Sequence, residues 1–106
     1  NDKQRTRIHI AGEAPILREK DVLQEDEADT PCKKIYFLIQ CMYLARNPRE
    51  YHAKYFAIVK DILQAAPSTS PIFVKINEQI IKGHYYKALK EGQSLIEFED
   101  NLLKNS

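Results

Sequence analysis

Tryptophan is absent from this chain, glycine occurs at only three of its 106 positions, and cysteine at two. The scarcity of glycine matters most. Gly12, Gly83 and Gly92 stand far apart, so there is no glycine-rich loop to cradle a phosphate. No Cys-x-x-Cys, His-Glu-x-x-His or Gly-x-Ser-x-Gly run occurs, and His9, His52 and His84 lack a cysteine or histidine at ligand spacing. A zinc site, and with it the commonest hydrolytic centres, has no ligand set to build on. No apolar run approaches the roughly 20 residues that cross a bilayer, and the apolar core of a signal peptide is missing. The expectation is a cytoplasmic protein with no enzymatic activity, no cofactor and no contact with the membrane.

Cys32 and Cys41 lie nine positions apart in one predicted helix. Nine steps of about 100° place them on opposite faces, so they do not pair with each other. They read as reduced thiols. The chain opens on Asn1 in a polar stretch rather than on methionine, which gives the expectation of a short native segment upstream.

One domain is expected over 1–106, with residues 1–29 as a strand-and-loop segment and 30–106 as a helical bundle. Along residues 5–10, Thr6, Ile8 and Ile10 alternate with Arg5, Arg7 and His9, the period of a half-buried strand. A turn at 11–15 leads to a second extended stretch at Ile16 and Leu17, with a strand end near Val22 and Leu23.

From Thr30 onward the period becomes helical. Thr30-Pro31, Asn47-Pro48 and Ser70-Pro71 each set a capping residue before a proline, which is tolerated in a helix's first turn. Helices are predicted at about 31–46 (Ile35, Leu38, Ile39 and Met42 as the stripe) and 48–66 (Tyr51, Tyr55, Ile58, Ile62, Leu63). Two more follow at 71–82 (Ile72, Phe73, Ile76, Ile80) and 85–103 (Tyr86, Leu89, Ile96, Leu103). Gly83 reads as a left-handed stop, and Gly92 as either a weak point or a close-packing site. The links favour antiparallel neighbours. The fold class expected is α+β, mainly α: a short N-terminal β-strand or hairpin element followed by about four antiparallel helices.

Sixteen Lys and Arg face fifteen Asp and Glu, so the chain is not a strongly basic one. The charges are nonetheless segregated. Asp21, Glu25, Asp26, Glu27 and Asp29 occupy 21–30 without a cation, whereas 33–60 carries Lys33, Lys34, Arg46, Arg49, Lys54 and Lys60 against Glu50. The acidic cluster lacks the central glycine and closing glutamate of a calcium loop. It reads instead as a complement to the dipole of the helix starting at Pro31.

Arg5, Arg7 and His9 would project from one strand face, and with Arg18, Lys33 and Lys34 they form the candidate phosphate-contacting set. Tyr36, Tyr43 and Tyr51 are the candidate stacking residues, with core positions as the competing assignment. The isoleucines of the third helix and the Tyr85-Tyr86 pair are either an apolar contact surface, for self-association or a protein partner, or the closing side of the core.

Five runs carry a resemblance. They are 5–23 (RTRIHIAGEAPILREKDVL), 28–36 (ADTPCKKIY), 40–44 (QCMYL), 55–69 (YFAIVKDILQAAPST) and 83–90 (GHYYKALK). Together they resemble the FlbT family of flagellar biosynthesis regulators over almost the whole chain. The resemblance implies post-transcriptional control of flagellin. In that reading the chain binds the 5′ untranslated leader of flagellin mRNA and represses its translation or stability during flagellum assembly, some family members being activators. FlaF or flagellin are the implied protein partners. A protein-interaction adaptor that acts on RNA only indirectly is the alternative. The family supplies no residue-level RNA contacts; the six named above come from charge and strand phase.

Overall fold

The computed structural model describes residues 22–104. Four α-helices follow one another in that span: α1 (Pro31–Leu44), α2 (His52–Ala65), α3 (Ser70–Lys82) and α4 (Tyr85–Lys104). Three 3-10 turns, Glu25–Glu27, Pro48–Tyr51 and Pro67–Thr69, punctuate them.

The α+β expectation is corrected by this arrangement. No strand occurs among the described residues, and Val22 and Leu23, read as a strand end, are irregular chain packed on the helices. The physical reason is a side chain. Leu23 satisfies both its backbone groups on Gln40 of α1, whose Oε1 accepts from Leu23 N–H (2.8 Å) and whose Nε2 donates to Leu23 C=O (2.8 Å). An amide side chain thus takes the place of a neighbouring strand. The strand expected at 5–10 and the extended stretch at 16–17 lie outside the described residues.

The helix boundaries follow from local chemistry, though not always the chemistry expected. Thr30 caps α1 as read, its Oγ1 accepting from Lys33 N–H (3.2 Å) with Pro31 in the first turn. Asn47-Pro48 starts a 3-10 turn rather than an α-helix, and the Asn47 side chain makes no cap hydrogen bond. Ser70 is already helical, because the turn Pro67–Thr69 runs into α3 ahead of it. Gly83 ends α3 at φ 79°, with Gly83 N–H on Ile80 C=O (3.0 Å) and His84 N–H on Gln79 C=O (2.8 Å). This is the paired closure of a left-handed helix stop.

Contacts at both ends of α4 fix its direction. Glu99, near its C-terminus, reaches Thr30 at the start of α1, while Tyr86 in its first turn meets Tyr43 at the end of α1 (ring centroids 5.9 Å apart). The two helices are therefore antiparallel. They approach closely at Gly92, where a Cβ would stand 3.3 Å from Tyr36 Cδ1 and 3.7 Å from Ile39 Cδ1. Gly92 is a close-packing site. Helix α4 also packs along α3, and α2 lies against α1.

The core is built from Ile35, Ile39 and Met42 of α1, Tyr55 of α2, Phe73, Ile76 and Ile80 of α3, and Leu89 and Leu95 of α4. Each aliphatic member contributes about 1.5–3 kcal/mol through burial. The isoleucines of α3 at 76 and 80 close this core, and Ile72 is half-buried against it. Val74 and Ile81 are the exposed apolar residues of α3. On α4 the stripe centres on Leu89 and Leu95. Ile96 is half-buried, and Leu103 is 62% exposed where the helix runs past its neighbours.

Candidate functional site

Of the six predicted RNA-contacting residues, Arg5, Arg7, His9 and Arg18 lie outside the described residues. Lys33 and Lys34 stand in the first turn of α1, and the structure surrounds that turn with carboxylates. Glu99 of α4 accepts from the Thr30 hydroxyl (2.5 Å) through Oε1 and from Cys32 N–H (3.3 Å) through Oε2. Asp29 pairs with Lys33 Nζ (3.8 Å). The positive end of α1 thus has its own anions. Lys34 is exposed at the rim of two adjoining depressions. The acidic cluster itself forms the turn Glu25–Glu27, in which Glu27 Oε1 accepts from Gln24 N–H (2.7 Å).

The tyrosines named as candidate stacking residues take the competing core assignment. Tyr36 and Tyr43 are core residues, and Tyr51 is half-buried against the core. Tyr85 and Tyr86, read as an apolar pair, are half-buried beside a cleft. Their partners are polar as well as aromatic: His52 Nε2 lies 3.1 Å from Tyr85 Oη, and Lys90 Nζ sits 5.9 Å from the centre of the Tyr86 ring.

Two concavities lie near opposite ends of α1. The first, about 380 Å³, lies between the start of α1, the second half of α2 and the last turns of α4. Ile58, Ile62, Phe98 and Leu102 wall it, with Lys34 and Asp61 among the polar residues lining it. The second, about 530 Å³, lies at the opposite end of α1. There Arg46 and Pro48 face the α3–α4 corner at His84, Tyr85, Tyr86 and Lys87. No carboxylate is among its described lining residues. In the sequence Arg46 is one of the cations spread over 33–60, and nothing there joins it to Lys87, forty-one positions away.

Neither cysteine is an activated thiol. Burial foremost, and the Glu99 carboxylate beside it, push the Cys32 thiol up to about 12. Burial raises Cys41, Tyr43 and Tyr55 as well. A thiol held protonated at neutral pH does not attack. Among the described residues no three His, Cys, Asp or Glu side chains gather as a metal site requires, and no helix is long and apolar enough to cross a membrane.

Residues 1–103 match the family described as "Flagellar protein FlbT". A "Probable flagellum biosynthesis repressor protein FlbT 1" of Bradyrhizobium diazoefficiens is 45% identical over 103 residues, covering 96% of this chain and 70% of that protein. A "Probable flagellum biosynthesis repressor protein FlbT" of Rhodopseudomonas palustris is 41% identical, covering 97% and 82%. The "Flagellum biosynthesis repressor protein FlbT" of Caulobacter vibrioides is 31% identical, covering 97% and 75%. No solved structure matches the chain. A match along nearly all of the chain, at identities up to 45%, places this protein in the FlbT family of flagellar proteins.

Proposed function

We propose that this protein is a cytoplasmic, non-enzymatic regulator that binds the 5′ untranslated leader of flagellin mRNA and represses its translation or stability while the flagellum is assembled. The observation that carries this reading is the likeness, over 96–97% of the chain, to proteins named flagellum biosynthesis repressors. Arg5, Arg7, His9, Arg18, Lys33 and Lys34 are the first proposed phosphate contacts. Of the two described ones, exposed Lys34 is the better placed, since Lys33 already faces Asp29.

A second reading makes the protein an adaptor that reaches RNA only through a partner such as FlaF, flagellin or another RNA-binding protein. The apolar groove walled by Ile58, Ile62, Phe98 and Leu102 favours it, because such a surface suits a helix face better than a phosphate.

Fluorescence anisotropy with labelled flagellin leader separates the two. The regulator reading expects the purified chain to bind the leader more tightly than a scrambled RNA of equal length. It also expects Arg5→Ala/Arg7→Ala or Lys33→Ala/Lys34→Ala to weaken that binding. Binding that appears only when FlaF or flagellin is added would establish the adaptor instead.

A further inference from the structure

We infer that single-stranded RNA is held in the cleft between the end of α1 and the α3–α4 corner, its phosphates on Arg46 and Lys87 and its bases against Tyr85 and Tyr86. This deepens the RNA-binding reading above and rests on it.

The first observation is a contrast between two helix starts. Lysine is the third residue of both α1 (Lys33) and α4 (Lys87), and neither first turn contains an acidic residue. A cation there opposes the positive end of the helix dipole, where an anion is stabilising. At α1 the conflict is resolved within the protein, by Asp29 on Lys33 and by Glu99 on the Cys32 N–H. At α4 no described carboxylate lines the cleft, and neither Arg46 nor Lys87 enters an ion pair among the described residues. The corner therefore holds two exposed side-chain cations and a helix start without an internal anion. An external polyanion completes it.

The second observation selects nucleic acid among polyanions. Tyr85 and Tyr86 line the same cleft, half-buried, and Lys90 Nζ lies 5.9 Å from the centre of the Tyr86 ring as a further cation beside them. Tyr86 is backed by Tyr43, and Tyr85 by His52 at centroid separations of 5.9 and 6.2 Å. Cations beside fixed aromatic faces are the arrangement that holds single strands, phosphates on one and bases on the other. The cleft's 530 Å³ falls within the roughly 300–1,000 Å³ of ligand sites. Lys33 stands in the first turn of α1 and Arg46 beyond its last residue, Leu44, about 16 Å of helix away, so the two candidate surfaces are separable by mutation.

The test uses the full chain and labelled flagellin leader. Ultraviolet cross-linking followed by peptide mass spectrometry is expected to mark Tyr85 or Tyr86. Arg46→Ala/Lys87→Ala, both at exposed positions, should keep the thermal melt unchanged, lower affinity about tenfold and reduce the salt slope by about 1.4, twice the single-strand value per neutralised charge. Lys33→Ala/Lys34→Ala should lower affinity less than this pair does. Wild-type affinity in the Arg46/Lys87 variant, or cross-links confined elsewhere, would overturn the site while leaving RNA binding intact. Poly-glutamate displacing RNA as effectively as an RNA of equal charge would assign the cleft to an acidic protein and overturn it too. Failure of the unmutated protein to bind any RNA defeats the regulator reading itself.

Discussion

Two side chains connect distant parts of this fold, and neither announces its role in the sequence. Gln40 sits in the buried stripe of α1, where a polar residue costs stability unless satisfied. Its reciprocal pairing with the Leu23 backbone satisfies it and anchors the segment leading into the bundle. Gln40→Leu should lower the unfolding free energy by about 2 kcal/mol, because Leu23 keeps two part-buried backbone groups without partners. Urea denaturation reads the loss, and hydrogen exchange should show the Leu23 amide unprotected. Glu99 is the second such residue, reaching sixty-nine positions back to Thr30. Its neighbour Cys32 yields a prediction in pH. The folded thiol titrates near 12 against 9.0 for an ordinary cysteine. The unfolded chain thus loses this proton first, and the thiol's contribution to stability should fall between pH 9 and 12. At neutral pH iodoacetamide should modify Cys41, which is only half-buried, well before Cys32, with Cys32 reacting once denaturant is added.

At the scale of elements, helix periodicity was legible and helix starts less so. The stripes on α1 and α3 were readable because their buried positions are large aliphatics or aromatics at regular spacing. The α4 stripe was misphased toward Ile96 because Leu95, Ile96 and Phe98 compete within one turn. Packing decides for Leu95, which is fully buried. Only Thr30-Pro31 works as a side-chain cap. At the other two prolines a 3-10 turn supplies the entry, a choice set by the adjoining chain rather than by the dipeptide. The glycines give sharper expectations. Gly83→Ala forces an L-residue into φ 79° and should cost about 1 kcal/mol, a fall of about 4–8 °C in melting temperature. Gly92→Leu should cost about 2 kcal/mol by forcing α4 away from Tyr36 and Ile39. Gly92→Ala should be nearly neutral, since its helix-propensity gain of about 1 kcal/mol offsets the tight Tyr36 contact.

Across the whole molecule, the two ends of the bundle differ in character. One carries an apolar groove and a helix start neutralised by Asp29 and Glu99; the other carries tyrosines and exposed cations. The whole-chain net charge of +1 gives no sign of this difference. The basic candidate Lys33-Lys34 was visible as a pair in sequence. The cleft was not, since only the antiparallel packing of α1 and α4 brings Arg46 to Lys87. The most direct test of direct RNA binding is the salt dependence of the full chain's affinity for the flagellin leader. If only Arg46, Lys87 and two of the first proposed contacts meet phosphates, about four in all, the affinity should already fall about sixty-fold between about 50 and about 200 mM salt, a slope near −3, and further contacts would steepen it. An affinity that salt leaves unchanged, or no affinity at all, would contradict direct RNA binding and move the protein's action to its apolar groove.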